Sequence, residues 1–141
     1  MAKYGLVETS AVQPVRIAMA NTADINAGDM LKWDGAGQFV TPAGAGDFPC
    51  AVALEQVEKP VTDGDCSVLC AIGLEDVFEY PSDNSSEIVQ GIVGKTCDVA
   101  TVQSIDTGAS TDDCIKIVGI DTVKGTALCQ IKFNLAEVGV V

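Results

Sequence analysis

The chain has 141 residues, which suits one compact domain and leaves too little for two independent cores. Eight Lys and Arg stand against 20 Asp and Glu, a formal charge of -12, and this argues against any partner recognised through phosphate neutralisation, nucleic acid above all. The absence of His removes the usual general base, the usual triad base and the commonest zinc ligand, while 48% apolar residues are enough to build a core.

Residues 1–14 mix Tyr4, Leu6 and Val7 with polar residues and end at Pro14. That composition suits an extended arm that orders against a neighbour, and a frayed terminus or an ordinary edge strand would account for it equally. From there the apolar pattern has a period of two. Runs at 15–19, 30–33, 51–54, 67–72, 76–80, 98–102, 115–120 and 127–133 are short and mostly rich in aliphatic residues, so they predict strands. Turn signals separate them: Asn26 to Asp29, Asp34 to Gly37, Pro42 to Gly46, Asp63-Gly64-Asp65, Pro81 to Asn84 and Lys124-Gly125. Asn84 precedes 85–90 as a capping residue and predicts a single helical turn there. Residues 134–141 form an apolar tail that is costly to leave in water and is expected to dock. The sum is an all-β fold, a small β-barrel, β-tulip-like or sandwich domain, with an N-terminal arm over 1–14, a β-domain over 15–133 and a C-terminal tail.

A weak duplication runs through the β-domain. Ile25-Asn26-Ala27-Gly28 opens one copy, followed by strands at 30–33, 50–54 and 66–70. Ile88-Val89-Gln90-Gly91 opens the other, followed by strands at 98–102, 115–120 and 128–132. Two similar β-modules, about 15–80 and 81–133, each too small to bury its apolar face alone, would share one core.

Reactive groups are sparse. Six cysteines, Cys50, Cys66, Cys70, Cys97, Cys114 and Cys129, contain no CxxC pair and read as reduced core residues rather than disulfides or metal ligands. The acid pairs Asp63/Asp65, Glu75/Asp76/Glu79 and Asp112/Asp113 lack the aromatic platforms of a glycosidase and the spacing of a calcium loop, so they read as solvated turns. Gly35-Ala36-Gly37 and Gly44-Ala45-Gly46 lack the phosphate-loop pattern, and Trp33 reads as core. No enzyme activity, cofactor or metal is expected. The opening residues carry no export signal and no run spans a membrane, so synthesis in the cytoplasm without a membrane partner is expected.

The succession Ile25-Asn26-Ala27-Gly28-Asp29, a short strand, Gly37 to Ala43, then Cys50 to Leu54 and Asp63 to Leu69, resembles the head decoration (capsid cement) proteins of tailed bacteriophages. The resemblance covers roughly 15–133. It implies a small β-domain with an N-terminal arm and no catalytic residues. It also implies a homotrimer that binds the major capsid protein on the outside of the virion, where hexamers and pentamers meet. The arm residues Tyr4, Leu6 and Val7 would then be capsid contacts. The six cysteines and the long loop from Ser104 to Asp113 depart from the family pattern. A cell-surface or fibre module and a small-molecule-binding barrel share the same composition and stay open at this point.

Overall fold

Short aliphatic runs interrupted by Gly, Pro and Asp can satisfy their backbone groups only by pairing with one another. The computed structural model, which describes residues 5–8, 13–34 and 39–132, shows eleven strands. They are β1 (Gly5–Glu8), β2 (Val15–Ala18), β3 (Met30–Trp33), β4 (Val40–Pro42), β5 (Ala51–Ala53), β6 (Ser67–Ala71), β7 (Val77–Pro81), β8 (Thr96–Thr101), β9 (Ser104–Asp106), β10 (Ile115–Asp121) and β11 (Thr126–Ile131). Among the described residues there is no α-helix. The expected helical turn is a 3-10 turn at Ser85–Glu87, where the Asn84 side chain accepts from the Ser86 amide.

The strands form two antiparallel sheets of one design. The first has the order β2-β6-β5-β3-β4, and the second runs β7-β11-β10-β8-β9 with β1 added outside β7. Position for position, β2 to β6 repeat as β7 to β11. Each module curls until the residue after its first strand meets its third strand at a single parallel bridge, Met19 with Val40 and Ser82 with Ile105. Ala20 N donates to Val40 O and Asp83 N donates to Ile105 O, both at 2.9 Å. Neither sheet closes into a barrel, and the whole is sandwich-like. The second module opens with β7, so the boundary lies between Ala71 and Val77, several residues before the expected break after Tyr80.

Alternation decides which core each residue enters. In the first module Leu31, Ala51, Ala53, Val68 and Cys70 point inward with Met19, Ile25 and Val40. Their neighbours Met30, Val52 and Ala71 point outward and join the second core, built on Phe78, Tyr80, Ile105, Ile115, Ile117 and Cys129. Strand β5 is therefore buried on both faces, which is why Ala51-Val52-Ala53 is apolar without alternation.

Candidate interaction surface

The ladders make the two modules comparable residue by residue. Met30 lies opposite Val52 and Val52 opposite Ala71. In the second module Thr96 lies opposite Lys116 and Lys116 opposite Gln130. The same outward face is thus apolar in the first copy and polar in the second. Covering Val52, which is 0% exposed, contributes on the order of 1.5 kcal/mol or more. Lys116, its counterpart, stays in solvent. This asymmetry gives the first sheet a face that the second module covers, and leaves the second module a face that tolerates water.

Polar groups fix the angle between the modules. The Tyr80 hydroxyl donates to Gly28 O at 2.7 Å, and burial pushes its phenol pKa well above the ordinary value. Asp29 is buried with its carboxylate shared: Oδ1 accepts from Gln103 Nε2 at 2.8 Å and Oδ2 from Asn26 N at 2.9 Å. Met30 N donates to Val102 O at 2.8 Å, so the turn between β8 and β9 sits on the start of β3. Buried polar groups satisfied in this way specify one docking geometry.

The long connection before the fourth strand of each module is tied down at one place by different chemistry. In the first module Lys32 Nζ, on β3, pairs with Asp47 Oδ2 at 3.0 Å. In the second, Asp98 on β8 accepts from the amides of Thr111, Asp112 and Asp113 at 3.1, 2.9 and 3.0 Å. The long loop that departs from the decoration-protein pattern is therefore an ordered one, held by a carboxylate on its own sheet.

Phe48, Val89 and Val118 are partly exposed at unrelated places, and the two most exposed apolar side chains fall on equivalent connections. Val61, between β5 and β6, is 92% exposed, and Val123, between β10 and β11, is 96% exposed. Both connections leave the same end of their modules. The remaining acids of interest serve local structure: Asp63 accepts from Asn21 N, Asp76 from Gly73 N, and Glu79 from Thr126 Oγ1 at 2.7 Å. Among the described residues one group of three carboxylates converges, Asp83, Glu87 and Asp106, with oxygens within 4.8 Å of one another. Thr107 Oγ1 donates to Glu87 and Gly108 N to Asp106, so these acids brace the start of the long loop.

All six cysteines are free thiols, five of them buried and Cys66 partly so. Burial pushes Cys50, Cys70 and Cys97 up to about 12 and Cys114 up to about 11. Such thiols are poor nucleophiles and act as small core side chains.

Of the three residues expected on a capsid-binding arm, Leu6 alone has its side chain among those described. Gly5–Glu8 is strand β1, paired with β7 of the same chain, and Leu6 packs against the second core. The physical reason is that β7 would otherwise present an open edge beside Phe78, which Leu6 covers from directly opposite. Tyr4 lies outside the described residues, as does the side chain of Val7. The exposed Val61 and Val123 were missed as candidates; Val-Thr-Asp-Gly and Thr-Val-Lys-Gly turns at matching places in the two copies were the available signal.

No family model, curated protein or solved structure matches the chain.

Proposed function

We propose that the protein is a non-enzymatic decoration (cement) protein of a tailed-phage head. It would be made in the host cytoplasm and carried on the outside of the virion, with the major capsid protein and two further copies of itself as partners. The single observation that carries this reading is the repeated apolar tip: Val61 and Val123 leave the same end of two copies of one module. A body braced by buried polar bonds holds those tips at fixed spacing, as binding to a repeating lattice requires, and two weak contacts combine through avidity. The net charge of -12 supports the reading because it keeps free copies apart until many local contacts capture them. The resemblance over roughly 15–133 supplies the partner class. The two sheets of the sandwich are filled by Met, Ile, Val and Cys side chains, which favours a structural role over a ligand-holding barrel.

The test is gain of shell stability. Purified protein is added to expanded heads that lack it, and the heads are warmed. The reading expects the melting point of the shell to rise with added protein and to level off at a fixed number of copies per head. A shell whose melting is indifferent to the protein overturns it.

A further inference from the structure

Strand β1 stands outside the two-module plan. The modules match β2 to β6 with β7 to β11, and β1 is added beyond β7, with no counterpart beside β2 among the described residues. It is four residues long and meets β7 at three ladder positions, Gly5 with Glu79, Leu6 with Phe78 and Glu8 with Val77, with a register shift between Leu6 and Glu8. A short strand near a chain end, with an interrupted ladder, opens more readily than the modules it lies on. Its opening bares β7 on the side away from β11, next to the buried Phe78. An edge bared in this way takes up another extended segment.

The connection from β1 to β2 is long enough for the strand to reach another molecule. Glu8 lies opposite Val77 and Val15 opposite Cys70, so this connection crosses the same gap that residues 72–76 cross between β6 and β7. Residues 72–76 cross it while folded into a turn, with Asp76 N donating to Gly73 O at 3.1 Å and Gly73 N to Asp76 Oδ2 at 2.9 Å. The six residues between Glu8 and Val15 reach about 20 Å when extended, which is more than that gap requires. Gln13 and Pro14, at the β2 end of the connection, are exposed, which places a hinge at the surface.

We propose that β1 is an exchangeable strand: in the self-assembled protein, β1 of one copy adds to β7 of the next, with Leu6 over Phe78 of that copy instead of its own. The contacts are the same in either arrangement, so exchange gives up no pairing and gains a link between copies. Each copy gives one strand and takes one, so the links close on themselves and leave no β7 edge uncovered. Concentration favours exchange, and dilution favours the closed chain. This inference rests on the self-association in the proposed function and not on its capsid partner. It is tested without heads, so its failure leaves the capsid reading standing.

Isotope-filtered nuclear magnetic resonance tests it. Labelled and unlabelled full chains are refolded together and concentrated, in salt that screens the charge of -12. A contact between the Leu6 methyls of one chain and the Phe78 ring of the other should appear, grow with concentration and be lost in Leu6→Asp. Sedimentation should show the matching rise in mass. In a second arrangement a tagged chain lacking residues 1–13 should retain intact chains, and should not retain intact chains that carry Leu6→Asp. Should the shortened chain not fold, the contact between full chains decides alone. A monomer at every concentration overturns the proposal, and so does an oligomer in which the contact of Leu6 with Phe78 stays within each chain. An oligomer that survives Leu6→Asp unchanged overturns it as well, because another surface would then hold the copies together.

Discussion

Gly28 and Gly94 occupy one position in two copies of a single module. Each has a left-handed backbone, φ 93° and 91°, and each donates its N–H at 2.8 Å to the fourth strand of its module, to Ala53 O or Ile117 O. The return bonds match as well, Ala53 N to Asp29 O and Ile117 N to Lys95 O, both at 2.9 Å. The turn that starts the second strand of each module depends on a residue without a Cβ.

Replacing either glycine by Ala should therefore cost about 1–2 kcal/mol in urea unfolding. At Gly94 a Cβ meets nothing within 4 Å, so the whole effect is backbone strain. An unchanged midpoint would show that the turn is not held in the left-handed region. Gly91→Ala, at a position without a positive φ, is the control and should be near neutral.

The duplication was legible in the sequence, and its register was not. The I-x-x-G motif aligns Gly28 with Gly91, whereas the hydrogen bonds align Gly28 with Gly94, because the second copy reaches its turn through an extra 3-10 turn at Gln90–Ile92. Strands whose two faces differ, such as β10 and β11, were plain from alternation. The role of β1 was not: four residues of mixed polarity read equally as arm or edge, and only the open side of β7, far along the chain, decides between them. The pairing of Met30, Val52 and Ala71 as a face turned toward the other module was also hidden, since a strand buried on both sides carries no period.

The modules should respond oppositely to exchange of their outward residues. Val52→Lys puts a charge into the second core and should cost at least about 3 kcal/mol, enough to lower the melting temperature steeply. Lys116→Val, the reciprocal change at an exposed site, should stay within about 0.5 kcal/mol. Equal effects of the two substitutions would contradict the assignment of the covered face.

Alkaline pH should destabilise the fold. The buried thiols and the Tyr80 phenol are held protonated in the folded state, above ordinary values of 9.0 and 10.0, while the unfolded chain releases those protons at the ordinary values. The folded state then binds more protons between about pH 9 and 12, so stability is complete below pH 9 and falls as pH rises through that window. Each buried thiol should account for about 1 kcal/mol by pH 10. Thermal melting from pH 7 to 11 checks this, and a flat profile would contradict it. A thiol reagent at neutral pH should reach Cys66 first and the other five only on unfolding.

The N-terminal strand should matter to the free protein. Leu6→Ala removes an aliphatic side chain that packs on the second core and should lower stability by about 1–2 kcal/mol, and deleting residues 1–13 should lower it further. Differential scanning calorimetry of the two variants reads this directly. A truncated chain that melts like the intact one would restore the free-arm expectation.

The proposed capsid decoration is tested most directly by sedimenting the protein with expanded tailed-phage heads that lack a decoration protein. The wild type should pellet with the heads at a saturating number of copies. The double variant Val61→Asp, Val123→Asp should stay in the supernatant while its melting temperature is unchanged, since both side chains are over nine-tenths exposed. Wild-type protein that remains in the supernatant at every concentration would contradict the account.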